Sequence, residues 1–166
     1  MKTTVDLESQ SFDVEDAGDV IGLAKTLVNG EHAGILSTVD MEGKPQTRWM
    51  SAFSFDEFPR FYSLTAPESR KVEEIRHNPA VNWMFFNKDC SLILNLHGKA
   101  RIVEDAPVLK RIWQQVVDMS HVYFLDQYAS GLGFVVIETM VESVMATSPK
   151  NSLRFELDPQ ELVHLK

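Results

Sequence analysis

Apolar side chains change their spacing several times along the chain, and each change marks an element. Val20, Ile21, Ala24, Leu27 and Val28 recur at three- and four-residue intervals, the period of one face of an α-helix. That spacing predicts a helix over 15–29, with Gly30 as its stop. The run from His32 to Asp40 is β-like, and Asp40-Met41-Glu42-Gly43-Lys44-Pro45 supplies turn chemistry before a second strand at 46–54. After a polar connection, Phe55–Pro59, the segment Arg60–Leu64 reads as a short aromatic strand. The period lengthens again from Pro67 to His77, where Val72 and Ile75 sit among charges as on a surface helix. Asn78-Pro79 ends it, because a residue before proline disfavours helical backbone. Ala80–Phe86 and Ser91–Val103 follow as strands around the turn-like Asn87-Lys88-Asp89-Cys90. Residues 106–118 carry Leu109, Ile112, Trp113, Val116 and Val117 on one helical stripe; Gly131–Ala146 returns to strand, and Leu153–Leu157 makes a last short one.

Strands joined mainly by tight turns favour an antiparallel sheet, and six or more of them can close into a barrel. The expectation is one α+β domain spanning 1–166, with residues 1–14 a loosely ordered N-terminal segment. Met84, Met119 and Met140 read as core filler, and Trp113 as packing on its helix. A chain of 166 residues with 44% apolar and 24% charged residues has the balance of a folded domain. No apolar run approaches the ~20 residues of a membrane-spanning helix. The acidic N-terminus lacks a signal peptide's apolar centre, and the single cysteine, Cys90, excludes an internal disulfide. A cytoplasmic location and no membrane partner are therefore expected.

Net charge refines this picture. At −8 the chain is a poor partner for nucleic acid, whose phosphates require a basic face. Its acids are unevenly spread, however. Asp6, Glu8, Asp13, Glu15, Asp16 and Asp19 oppose only Lys2 near the start, whereas Lys44, Arg48, Arg60, Arg70, Lys71 and Arg76 nearly balance the acids between 44 and 76. That is too little for a polyanion and enough for one phosphate.

Two short stretches there carry candidate chemistry. Thr47-Arg48-Trp49-Met50 places an arginine on a strand, and Thr65-Ala66-Pro67-Glu68-Ser69-Arg70-Lys71 marks a strand end followed by a helix start. Thr65 and Glu68 have capping-box spacing, and Pro67 suits a first helical turn. Exposed N–H groups at a helix start attract anions; Ser69 and Lys71 add a hydroxyl and a cation, and the planar fork of Arg48 suits phosphate oxygens. The plainer alternative is a capped surface helix whose cations pair with Glu73 and Glu74, with Glu68 competing for the helix terminus. The five histidines are scattered without zinc-site spacing, Cys90 is a bystander thiol in a turn, and P-loop, Gly-x-Gly-x-x-Gly and Gly-x-Ser-x-Gly motifs are absent. No catalytic side chain and no metal ligand set is assigned.

The runs ILSTVDMEGKPQTRWM, FYSLTAPESRKVEEIRHNPAVNWMFF and LNLHGKARIVED together resemble the pyridoxamine 5'-phosphate oxidase-related flavoproteins, nearest their general stress protein branch. The resemblance covers residues 18–146; its most specific part is the strand arginine followed by Thr-x-x-x-Ser-x-Lys and Asn-Pro. A second match is Gly98-Lys99-Ala100. The resemblance implies a split β-barrel with peripheral helices, assembled as a homodimer with FMN between subunits. It implies phosphate ligation by Arg48, Ser69 and Lys71, with Arg70 a further cation and Thr65 near the flavin ring or ribityl chain. The strand backbone at Thr47, Arg48, Trp49 and Met50 would pass the isoalloxazine edge. The implied activity is that of a flavin-dependent oxidoreductase, with NADH or NADPH as possible electron donor. Phe53 stands where the oxidases carry a lysine, Ile93 where they carry a glutamine, and Ser143-Val144-Met145 where the stress-protein branch often has an aromatic pair. These departures point away from pyridoxamine phosphate oxidation. They leave open a non-catalytic flavin module, or a barrel binding haem or a deazaflavin.

Overall fold

The computed structural model describes residues 17–118 and 133–160. In chain order they form α1 (Ala17–Leu27), β1 (Asn29–Val39), β2 (Pro45–Phe53), β3 (Arg60–Thr65), α2 (Arg70–His77), β4 (Ala80–Phe86), β5 (Ile93–Val103), α3 (Ala106–Val117), β6 (Val135–Ser148) and β7 (Leu153–Leu157). The strands run in the order β3-β2-β1-β4-β5-β6-β7, and β3 pairs back onto β6. Six antiparallel strands thereby close into a barrel with a few helices around it, the α+β split barrel expected. The expected loose segment at 1–14, Met119, His121 and His164 lie outside the described residues. Among the described residues no helix is long and apolar enough to cross a membrane.

Alternation along the strands dictates what fills the barrel. On β4, Val81, Trp83 and Phe85 point inward and are buried; on β5, Leu94 and Leu96 do the same. With Leu36, Phe61 and Ile137 they form the main core, which Val20, Ala24 and Leu27 of α1 join. Trp83 meets Phe61 edge-on at 5.3 Å between centroids and stacks on Phe85 at 5.8 Å. Its buried indole N–H donates to Thr139 Oγ1 at 3.2 Å, so the polar end of the ring is satisfied within the core. Full burial of side chains this size contributes ~1.5–3 kcal/mol each. A second core lies beneath α3, where Ile112 and Val116 pack with Phe53, Tyr62, Leu64, Val103 and Val136. Trp113 stacks on Phe134 at 5.2 Å, consistent with a packing role.

The same alternation corrects the methionine expectation. Met84 lies between the inward-facing Trp83 and Phe85 and so falls on the opposite face, half-buried; Met140 is 36% exposed. Neither fills the core. At the first helix the change of period also comes earlier than expected. The backbone is extended from Asn29, so Gly30 belongs to β1 rather than stopping α1.

The barrel closes through β6. Val135–Met140 pair with β3, Val144–Ser148 pair with β7, and β5 runs along the opposite edge. Between these two halves the register steps from His97–Ser143 to Gly98–Val141, a bulge of the kind that bends a strand. There the backbones approach so closely that a Cβ on Gly98 would lie 2.2 Å from the Met140 carbonyl oxygen. This gives a physical reason for the Gly-Lys-Ala match. The opposite seam is thin: β2 and β3 register through Phe53 and Tyr62 alone, helped by Ser63 Oγ, which donates to the Ser51 carbonyl at 2.6 Å.

Substituting Gly98→Ala forces two backbones apart. It is expected to lower stability by at least the ~1–3 kcal/mol typical of overpacking. Gly22→Ala on α1, where an added Cβ meets nothing within 4 Å, is expected to raise stability by up to ~1 kcal/mol. Urea melts of the two variants beside the parent check both signs.

Candidate functional site

Arg48 lies on β2, opposite Leu36 of β1, with only 21% of its side chain exposed. Its Nη1 donates to Thr38 Oγ1 at 2.5 Å and to the Gln46 carbonyl at 3.3 Å, and its Nη2 donates to Glu74 Oε2 at 2.9 Å. The Thr38 hydroxyl donates to that same carboxylate oxygen at 2.6 Å. Glu74 is buried, its side chain 6% exposed. A buried carboxylate persists in charged form only when paired and hydrogen-bonded, and removing one partner of such a pair typically costs ~3–5 kcal/mol. The strand arginine and the helix are therefore joined by an ion pair, not merely adjacent.

On the helix side the start differs from the expectation. The Ser69 N–H donates to the Ala66 carbonyl at 3.1 Å, so residues 66–69 form a turn and α2 begins at Arg70 rather than at Pro67. The Thr65–Glu68 capping box therefore does not form. Ser69 takes the N-cap position in extended conformation, with no side-chain cap hydrogen bond. Its hydroxyl instead lies 3.2 Å from that of Thr65, which accepts from Lys71 Nζ at 3.0 Å. Glu68 is exposed, off the helix.

Lys71 is half-buried, and burial holds its pKa below the ordinary lysine value; the nearby positive charge of Arg48 lowers it further, while Glu74 partly offsets both. Two cations 23 positions apart in the chain thus act on one another across the start of α2. Lys71 stands there with the Thr65 and Ser69 hydroxyls, and Arg48 is tied to the same helix one turn on, through Glu74. Such a donor set fits a small dianion, above all a phosphate monoester, since Glu74 is already engaged by Arg48 and Thr38.

The remaining expected residues fall elsewhere. Arg70 is exposed and lines a neighbouring groove of about 220 Å³ with Asp40, Met41, Glu42, Glu73 and Glu74, whose carboxylates make it the less suitable place for an anion. Thr47 and Trp49 are exposed on the outer face of β2, where the Thr47 hydroxyl lies 3.4 Å from that of Ser37. Met50 is buried in the barrel core. Phe53 is buried opposite Tyr62, and Ile93 pairs with Phe86, so neither position supplies a polar ring contact. Sequence reasoning missed Thr38, for which no signal exists, and took Glu74 only as a surface counter-ion. Its three-residue spacing from Lys71, which puts both on one helical face, was the available clue.

The sequence model of the pyridoxamine 5'-phosphate oxidase family matches residues 22–148. The fold is similar to general stress protein 26 from Bacillus anthracis at TM-score 0.61 and 21% identity, over 83% of this chain and 98% of that one. It is also similar to a protein related to general stress protein 26 from Clostridium acetobutylicum, at TM-score 0.72 and 15% identity, over 89% and 99%. A protein described as an F420 reductase matches at TM-score 0.60 and 20% identity, over 72% and 94%.

The lowered Lys71 pKa has a definite sign in stability. Between that value and the ordinary lysine value, the unfolded chain holds the proton more tightly than the fold, so the ligand-free protein gains stability as pH rises through this window. The stability difference between parent and Lys71→Met is expected to move in the parent's favour across it. Urea midpoints measured from neutral to alkaline pH check this; a flat difference refutes the assignment of a strained ammonium.

Proposed function

Because the chain belongs to the pyridoxamine 5'-phosphate oxidase family, we propose that it is an FMN-binding flavoprotein acting as a flavin-dependent oxidoreductase. The observation that carries this reading is that α2 holds Lys71 against Thr65, beside Ser69, and one turn on ties Arg48 of β2 through Glu74, so both cations belong to one end of the barrel. Arg48, Ser69 and Lys71 hold the phosphate, and Arg70, exposed on the neighbouring groove, adds positive charge at the helix start without touching the phosphate. Thr65 lies toward the ribityl chain, and the Thr47–Met50 backbone of β2 runs along the ring edge, beside the thin β2–β3 seam.

When bound, the flavin supplies hydride chemistry at its ring, with NADH or NADPH as donor. The chain's own residues anchor and orient it and exclude water. No side chain at this site is required as an acid or base. With Phe53 and Ile93 in place of a lysine and a glutamine, these two positions offer no polar grip on a pyridoxamine-type substrate. The single cysteine and acidic composition support a cytoplasmic, single-domain protein.

A homodimer is part of the same reading. On the outer face of the sheet Trp49 lies opposite Ile35, and Ile35 opposite Met84; Trp49 is 57% exposed and Phe86 39%. A second copy covers this apolar row and completes the cleft. One alternative has a specific observation behind it: the likeness to an F420 reductase supports a deazaflavin in the same cleft.

Purified protein is expected to be yellow, with a flavin spectrum and FMN identified by mass on release. Arg48→Glu is expected to weaken FMN binding by about a hundredfold or more, as two charge-assisted hydrogen bonds are lost; unchanged affinity in a fluorescence titration removes the phosphate anchor. Trp49→Glu is expected to convert a dimer to a monomer by light scattering. A parent protein that is monomeric at all concentrations rejects the assembly.

A further inference from the structure

The guanidinium of Arg48 carries five N–H groups in one plane, and they are not equally available. Its end edge, formed by Nη1 and Nη2, faces Thr38 Oγ1 and Glu74 Oε2. Those two oxygens are themselves 2.6 Å apart, so they meet the edge as a matched pair. Nη1 also reaches the Gln46 carbonyl. What remains is the side edge: the Nε–H and the outer N–H of Nη2, which are parallel. Among the described residues no group takes that edge. Two parallel N–H groups at this separation are the arrangement that grips two oxygens of one phosphate.

We infer that Glu74, with Thr38, is a positioning residue that decides which edge of Arg48 a phosphate meets. This rests on the reading of the site as a phosphate anchor and goes beyond it. The carboxylate is an acidic group beside an anion site, which by charge alone would weaken binding. Its position gives it another effect. With Thr38 it holds the guanidinium by its end edge, next to the side edge that no described residue takes, and fixes the plane of the fork. A freed arginine would sample several rotamers, and each bound phosphate would have to order it anew.

The two roles predict opposite outcomes. If Glu74 only competed by charge, both Glu74→Gln and Glu74→Leu would bind FMN more tightly than the parent. As a positioning residue, Glu74→Gln keeps an acceptor for Arg48 and is expected to stay within about threefold of the parent, whereas Glu74→Leu loses about tenfold or more. Riboflavin, which has the same ring and no phosphate, separates this from general damage to the fold. Its affinity is expected to change by less than about twofold in every variant. Thr38→Val removes the second arm of the clamp from a different element and is expected to lose FMN affinity selectively, with Thr38→Ser restoring it; this pair decides the matter if Glu74→Leu does not fold. Affinities come from fluorescence titration of the flavin-free full chain. A parent protein that does not prefer FMN to riboflavin overturns the phosphate anchor and the inference with it. A parent that does prefer FMN, with that preference unchanged in Glu74→Leu and Thr38→Val or with both ligands weakened alike, overturns the positioning role and leaves the anchor standing.

Discussion

Closing an antiparallel sheet on itself demands that one strand serve both halves of the closure, and in this protein β6 does so. Its first half pairs with β3 and its second with β7, while β5 holds its other edge throughout. The bend that permits this sits at the Gly98 bulge, where the Met140 carbonyl leaves no room for a side chain. A bulge adds twist and redirects a strand. The closure in turn sets the inward faces of β4 and β5 against Phe61 and Ile137, which is where the core acquires its depth.

The consequence for the site is geometric. Once β6 has drawn β3 back to it, β3 and β2 meet through a single registered pair. Their far ends, carrying Thr65 and Arg48, are linked instead through α2. Lys71 reaches Thr65 and Glu74 reaches Arg48, so one turn of helix spans the divergence. The cost is electrostatic: a carboxylate is buried, an ammonium is held below its ordinary pKa, and two cations act on one another. Charges perturbed in this way beside a helix start mark a candidate functional site. The tie between Glu57, Tyr62 and Arg111 is a contrast. There Tyr62 donates to Glu57, and Arg111 bonds to both, so the network is closed and joins α3 to the β2–β3 connection.

Much of the fold was legible because local periodicity is a backbone property. The shift from three- and four-residue spacing to alternation places every helix and strand named from the sequence within a few residues of its observed bounds. The errors lie where a tertiary contact overrode a local signal. Gly30 looked like a helix stop and belongs to a strand, because β1 starts immediately to pair with β2. Pro67 looked like a first helical turn and belongs to a preceding turn, because the Ala66 carbonyl takes the Ser69 N–H. Met84 looked like filler and faces outward, because the larger rings on either side of it occupy the core.

By itself the sequence determined the elements, their antiparallel character and the residue types able to hold a phosphate, since these follow from period, turn chemistry and the charge carried by side chains. Only the tertiary structure decided which of those side chains meet. Arg48 and Lys71 lie on a strand and a helix whose approach is set by barrel closure, and Thr38 and Glu74 enter because two distant segments are brought within hydrogen-bonding range. Spacing along a chain carries no information about such distances, because they are settled by how the strands close and not by the order in which they occur.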